Sequence, residues 1–113
     1  MELREIVRSD AIGQLALVGK LDVSGLHAVQ AKFNDYAAET RRHTIVDLSE
    51  LEFIGSLGIG MLISCAKTMA QFGAKMVLTS PRPEVDSVLR MTGIDNAIPI
   101  VGSVGEAEAL LRS

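Results

Sequence analysis

The sequence predicts an α/β domain built on a mostly parallel sheet of four to five strands, flanked by about four helices. Two observations lead to this fold class. After an opening pair of strands, apolar β-branched segments alternate with segments of helical periodicity, and this order is typical of parallel strands joined by right-handed crossovers. The length of 113 residues, with 48% hydrophobic and 22% charged residues, fits one globular domain spanning residues 1–113.

The first part of the chain predicts an antiparallel hairpin followed by a helix. The segment LREIVRS, 3–9, alternates well enough for a strand, and IGQLALVGKL, 12–21, is the apolar run expected of a strand covered on both faces. Apolar residues then recur at helical spacing over about 24–39. Asp22 and Ser24 are the candidate N-caps of this helix.

The second part predicts three more strands and three more helices. The strands are HTIVDLS at 43–49, AKMVLTS at 74–80 and a short edge strand at 97–101. The segment ELEF, 50–53, is interpreted as the turn into a helix over about 57–72. The next helix begins at the prolines of 81–83 and ends at Gly93, a left-handed cap, and the capping-box spacing of SVGE, 103–106, starts the last one.

Composition argues against several classes of function. A single cysteine, Cys65, cannot form an internal disulfide and fits a reducing, cytoplasmic setting. Cys65, His27 and His43 lack the spacing of metal ligands, so we expect no metal and no cofactor. A net charge of −3 without a large basic cluster argues against a nucleic-acid partner. No apolar run approaches the roughly 18 residues that membrane insertion needs.

The segment LEFIGSLGIG, 51–60, places Gly55, Ser56, Gly58 and Gly60 where a strand passes into a helix. The glycines have the reverse of the dinucleotide-binding spacing, no Gly-Lys-Ser/Thr follows, and no G-x-S-x-G surrounds the serine. Ser56 is therefore interpreted as the N-cap of the helix, as an acceptor of a phosphoryl group, or as both. A helix N-terminus favours the negative charge that phosphorylation adds.

The helix at 57–72 has more apolar surface than one core face requires. Its core face comprises Ile59, Leu62, Ile63, Ala66, Met69 and Ala70, and a second apolar band comprises Leu57, Met61, Cys65 and Phe72. Either neighbouring helices bury this band, or Leu57 and Met61 lie exposed beside Ser56 and bind a partner. In the second case a phosphate on Ser56 would oppose docking. A weak homodimer that forms through this band is a further alternative.

Three segments, taken in their order along the chain, resemble the STAS domain of bacterial anti-sigma factor antagonists. They are GKLD at 19–22, IVDLSELEFIGSLGIGMLI at 45–63 and GAKMVLTSPRPEVDSVLRMTGIDNAIPI at 73–100. The resemblance implies a cytoplasmic, non-catalytic domain whose partner is an anti-sigma factor serine kinase with a histidine-kinase-like ATP-binding fold. In the family, the unphosphorylated antagonist binds this kinase and frees a sigma factor, phosphorylation of a serine releases the antagonist, and a serine phosphatase resets it.

The family motif, Asp-Ser-Ser/Thr-Gly-Leu-Gly, implies that Ser56 is the phosphorylated residue. Gly58 and Gly60 match the motif, whereas Gly55 replaces its aspartate and Leu57 its second hydroxyl residue. The predicted partner-binding residues are Asp22, Ser24, Glu52, Phe53, Ile54, Gly55, Ser56, Leu57, Gly58, Gly60 and Met61. The two departures keep an alternative open, in which the chain is a constitutive structural subunit of a larger complex, such as a phospholipid transporter or a stress-signalling assembly.

Overall fold

The computed structural model describes residues 1–112 and confirms the predicted α/β fold. Within these residues, six strands and four α-helices follow one another as β1 (Glu2–Val7), β2 (Ile12–Leu21), α1 (Val23–Glu39), β3 (His43–Asp47), β4 (Leu51–Ile54), α2 (Ser56–Ala70), β5 (Met76–Thr79), α3 (Pro83–Met91), β6 (Ile100–Val101) and α4 (Val104–Arg112). A short 3₁₀ helix, Ile94–Asn96, lies between α3 and β6.

The strands form one sheet in the order β1-β2-β3-β5-β6, and β4 pairs with β2 outside this path. As predicted, β1 and β2 pair antiparallel, and every other pair is parallel. The strand that the sequence interpretation missed is β4, since the segment taken as a turn forms four paired residues. It joins β2 where the register shifts after Gly19, whose φ of 109° only glycine adopts readily.

The two faces of the sheet are covered unequally. Helices α1, α2 and α3 contribute to a large apolar cluster on one face, with Phe33 and Leu62 fully buried in it. On the other face, Ala107 and Leu111 of α4 pack with one residue each of β2, β3 and β5. Apart from Phe33 the core is therefore largely aliphatic, and it lies mainly on the side of α2, the helix that begins at Ser56.

Two predicted helix ends are confirmed by their geometry. The Gly25 N–H donates to Asp22 Oδ1 at 2.8 Å, so Asp22 is the N-cap of α1. A Cβ at Gly25 would lie 2.0 Å from the carbonyl oxygen of Lys20, so only glycine allows α1 to start this close to β2. Gly93 after α3 is left-handed, with a φ of 77°.

Two features of residues 1–112 bear on function. None of the described helices has both the length and the hydropathy needed to cross a membrane. Nor do any three His, Cys, Asp or Glu side chains in this range cluster in a way that could hold a metal ion.

Candidate functional site

Ser56 is the first residue of α2, and the N-cap is Gly55, which has an extended φ of −97° and provides no side-chain cap. The prediction that Ser56 caps the helix is therefore wrong. The physical reason is a tertiary hydrogen bond: the Gly55 N–H donates to the carbonyl oxygen of Leu21 at 3.1 Å, which holds Gly55 at the end of β2. The Ile59 N–H donates to the Gly55 carbonyl at 3.1 Å and so closes the first turn one residue earlier than expected.

The Ser56 side chain is exposed, and its hydroxyl has no hydrogen-bond partner among residues 1–112. The first N–H groups of any α-helix lack an acceptor within the helix. The first turn of α2 contains no acidic side chain that would balance the positive end of the helix dipole. The position therefore favours an added negative charge at the Ser56 oxygen.

Three exposed apolar side chains surround this hydroxyl. Val23, Phe53 and Leu57 are 57%, 48% and 59% exposed, and with Ser56 they line a groove of about 280 Å³. The sequence predicted Phe53 and Leu57 but missed Val23. Its signal was available, because Val23 is an apolar residue directly after the predicted cap and outside the apolar stripe of α1. We call Val23, Phe53 and Leu57 the apolar rim.

A polar groove of about 410 Å³ adjoins the apolar one, and Asp22 lines both. Lys20, Ser24 and Glu52 lie along the polar groove, and Ser24 and Glu52 are exposed. Glu52 makes no ion pair within the described residues. The end of β2, the start of α1 and β4 thus bring the predicted Asp22, Ser24 and Glu52 to the same surface as Ser56.

The local architecture agrees with comparisons to known proteins. Residues 4–107 match the STAS domain family. The chain belongs to that family. The anti-sigma F factor antagonist of Paenibacillus polymyxa is 30% identical over 86 residues, which cover 74% of this chain and 73% of that protein.

Solved structures show the same STAS fold. An anti-sigma factor antagonist from Mycobacterium paratuberculosis matches with a TM-score of 0.86 and 19% identity, over 99% of this chain and 96% of that one. The anti-sigma factor antagonist SpoIIAA matches in its unphosphorylated form with a TM-score of 0.81 and 19% identity, over 98% and 96% of the two chains. Its phosphorylated form matches with a TM-score of 0.72 and 17% identity, over 97% and 99%.

The second apolar band of α2 is divided in this STAS domain. Leu57 is exposed, as is Phe72, which lies beyond the end of α2, whereas Met61 and Cys65 are 4% and 2% exposed. Helix α1 covers this middle part, and the Cys65 thiol lies 3.3 Å from Asn34 Oδ1 of α1. Met61 therefore supports the site from within the core and does not present the contact surface predicted for it. A continuous apolar band for a homodimer is also absent along the described α2.

The glycines of the STAS motif differ in what their surroundings require. A Cβ at Gly58 would lie 2.7 Å from two side-chain atoms of the buried Leu21, so a glycine lets α2 pack against the end of β2. Ile54, which is 3% exposed, packs at the same place. Gly60 faces open space, and a Cβ at Gly55 would make only ordinary contacts of 3.6 Å and longer. The fold therefore does not exclude an aspartate at position 55.

Burial raises the pKa of the Cys65 thiol to about 11. The thiol is therefore protonated and unreactive at neutral pH, since the thiolate is the nucleophilic form. Around Ser56, no carboxylate or imidazole of residues 1–112 accepts a hydrogen bond from the hydroxyl. The Ser56 hydroxyl therefore lies in a groove lined mainly by apolar side chains and Asp22.

Proposed function

We propose that this STAS domain is an anti-sigma factor antagonist controlled by phosphorylation of Ser56. When unphosphorylated, it binds an anti-sigma factor that is a serine kinase with a histidine-kinase-like ATP-binding fold, and a sigma factor is released. Phosphorylation of Ser56 ends the complex, and a serine phosphatase restores the antagonist. The domain acts in the cytoplasm as a binding protein and not as an enzyme.

One observation carries this proposal: Ser56, whose exposed hydroxyl has no hydrogen-bond partner in the described part of the chain, lies at the start of α2 beside the apolar rim. Exposed aromatic and aliphatic side chains in a groove are typical of an interface core, because docking removes their surface from water. The anti-sigma factor antagonist in Paenibacillus polymyxa and the two solved forms of SpoIIAA support the same assignment.

The proposed reaction transfers the γ-phosphoryl group of ATP to Ser56. The Ser56 oxygen forms a bond to the γ-phosphorus, the bond to the leaving ADP breaks, and the hydroxyl proton passes to a base of the kinase. We assign that base to the kinase, since no side chain of residues 1–112 accepts a hydrogen bond from this hydroxyl. The free product is compatible with the fold, since the helix N-terminus favours the phosphate.

Electrostatics explains how the phosphate would end the complex. It adds roughly −1.5 to −2 charges at neutral pH. The charge would lie in the groove lined by Leu57 and Phe53, and a docking partner must remove water from these two side chains. The carboxylate of Asp22 lines the same groove. Burying a charge without a partner is costly, and a nearby carboxylate adds repulsion. The phosphorylated protein is therefore more stable free in water than in the complex.

The departures from the family motif favour a second candidate function, a constitutive structural subunit of a larger complex. Gly55 lacks the family's carboxylate although an aspartate would fit there, and Leu57 replaces a hydroxyl residue with an exposed apolar one. Both changes leave a surface suited to docking. Neither is required by the fold.

One experiment separates the two functions. The protein is incubated with its candidate kinase and ATP, the phosphate is located by mass spectrometry, and complex formation is measured for Ser56→Asp and Ser56→Ala. We expect phosphate on Ser56, loss of binding in Ser56→Asp and retained binding in Ser56→Ala. Ser64→Asp is the matched control, because Ser64 is exposed on the same helix, two turns away. A stable complex that is indifferent to Ser56→Asp would support the structural subunit instead.

A further inference from the structure

A second concave surface lies at the other end of α2 from Ser56. It is a pocket of about 390 Å³ between the C-terminal half of α2, the start of β5, the segment before β6 and the end of α4. This volume falls within the range of about 300–1,000 Å³ that is common for small-molecule sites. The pocket shares no residue with the two grooves around Ser56.

The pocket exists because the sheet is incomplete at this corner. Strand β6 has two residues and pairs only with Leu78 and Thr79, so Met76 and Val77 of β5 have no partner strand on that side. The segment before β6 is diverted by the 3₁₀ helix, where the Ile98 N–H donates to the carbonyl of Ile94 at 2.8 Å. A missing stretch of strand leaves space that neighbouring side chains must fill.

The neighbouring side chains are too small to fill it. Helix α2 presents Ala66 and Ala70 to the pocket, and Ala97 lies before β6. Below them the floor is apolar and well packed: Met76, Val77, Ile98 and Leu111 are 5%, 1%, 1% and 8% exposed. These four residues belong to the apolar clusters on both faces of the sheet. The pocket therefore reaches the core at an open corner of the sheet.

The charge of the pocket lining is positive only. Lys75 is exposed, is the one charged residue that lines the pocket in the described chain, and makes no ion pair within residues 1–112. Its backbone is fixed in place, since the Lys75 N–H donates to His43 Nδ1 at 3.0 Å. An apolar floor with a single cation, and with no carboxylate among the described lining residues, is complementary to a hydrocarbon chain that carries one negative charge.

We propose that this pocket binds a free medium-chain carboxylic acid. The hydrocarbon tail lies against the floor formed by Met76, Val77, Ile98 and Leu111, and the carboxylate pairs with Lys75. Because the apolar floor supplies most of the contact, affinity should rise about fourfold for each methylene group that is buried, until the pocket is filled. The carboxylate adds selectivity over an uncharged ligand of the same length.

The test is a titration of the whole isotope-labelled protein with hexanoate, octanoate and decanoate below their micelle concentrations, followed by amide NMR shifts. We expect saturable shifts centred on Ala66, Ala70 and Met76, an increase of about fourfold in affinity per methylene, and at least fivefold weaker binding of decanol. Ala70→Leu should abolish decanoate binding by filling the pocket. Lys75→Gln should weaken decanoate binding about fivefold and leave decanol binding unchanged.

Two controls keep the test specific. Ala31→Leu makes the same change on an exposed position of α1, away from the pocket, and should bind decanoate normally. Ser56→Asp should also bind normally, so the result does not depend on the function proposed for Ser56. Absence of saturable shifts, equal loss of binding in Ala31→Leu and Ala70→Leu, or equal affinity for decanol and decanoate would each overturn the proposal. So would shifts that arise only with phosphatidylcholine vesicles and not with the free acid.

Discussion

Leu57 and Met61 lie one turn apart on α2 and have opposite surroundings: the Leu57 side chain is 59% exposed and the Met61 side chain is 4% exposed. The boundary between the core and the proposed docking surface therefore runs between them. Helix α1 covers the side of α2 that includes Cys65, and leaves uncovered the turn that includes Ser56. The position of α1 decides which apolar residues of α2 remain available to a partner.

The first prediction uses this pair of residues to separate binding from stability. Leu57→Ala should change the free energy of unfolding by less than about 0.5 kcal/mol, as expected for an exposed side chain. It should weaken binding to the proposed kinase partner by at least about fivefold, since an apolar residue at the centre of an interface contributes at least about 1 kcal/mol. Met61→Ala should instead lower the free energy of unfolding by about 2–5 kcal/mol. Urea denaturation and a binding titration measure the two quantities, and equal effects of the two substitutions on stability would contradict the structure.

The second prediction concerns the two glycines in the first turns of α2. Gly58→Ala should destabilise the protein by about 1–3 kcal/mol, because its Cβ would come within 2.7 Å of the buried Leu21 side chain. Gly60→Ala should stabilise it by about 1 kcal/mol, because the new Cβ meets no described atom within 4 Å beyond its chain neighbours and the nearby helix backbone, and alanine is the better helix former. Thermal and urea unfolding of the two variants test this. A shift of the melting temperature in the same direction for both variants would contradict the prediction.

The third prediction concerns two fully buried threonines in neighbouring strands. Thr79 Oγ1 has no hydrogen-bond partner in the described chain, so Thr79→Val should raise the free energy of unfolding by about 1 kcal/mol. Thr44 Oγ1 lies 2.9 Å from the Tyr36 hydroxyl and 3.2 Å from the carbonyl oxygen of Arg42, so Thr44→Val should lower it by about 1–2 kcal/mol. Chemical denaturation gives both values. Destabilisation by Thr79→Val would mean that its hydroxyl is satisfied after all.

Local sequence signals predicted the parts of this protein that local chemistry determines. The alternation of strands and helices, the cap at Asp22 and the left-handed Gly93 follow from the residues themselves. Strand β4 was missed because four residues are too short to show an alternating pattern. Its existence depends on pairing with β2, which is a tertiary contact.

The candidate site was predicted only in part, for a similar reason. The serine and its glycines stand out in the sequence, but which residue caps α2 depends on the hydrogen bond between Gly55 and Leu21. The burial of Met61 depends on the packing of α1 against α2. The sequence places Val23 after the cap of α1, but only the fold places it beside Phe53. Each of these facts requires two segments that are distant in sequence.

The fourth prediction restores the carboxylate of the family motif. In Gly55→Asp, the new Cβ makes ordinary contacts of 3.6 Å with Phe53 and 3.7 Å with the Leu21 carbonyl, and aspartate is a preferred N-cap. We expect a gain in stability of a few tenths of a kcal/mol and faster phosphorylation of Ser56 by the partner kinase. Gly55→Asn is the control, because it supplies a cap without the charge. An unchanged phosphorylation rate in Gly55→Asp would show that the kinase does not read a carboxylate at this position.

The fifth prediction concerns stability at alkaline pH. Burial raises the pKa of Cys65 from 9.0 to about 11, so the folded protein holds the thiol proton more tightly than the unfolded chain. The resulting stabilisation is fully present below pH 9.0 and is lost as the pH rises through about 11, because the unfolded chain then releases a proton that the folded protein still retains. Between these values the free energy of unfolding should fall more steeply with pH for the natural protein than for Cys65→Ala. Urea denaturation at a series of pH values compares the two slopes, which removes the contribution of the other titrating groups.

Native Cys65 should also react slowly with iodoacetamide at pH 8 and at the rate of a free thiol once the protein is unfolded. Parallel slopes together with rapid labelling of the native protein would show that the thiol is open to water.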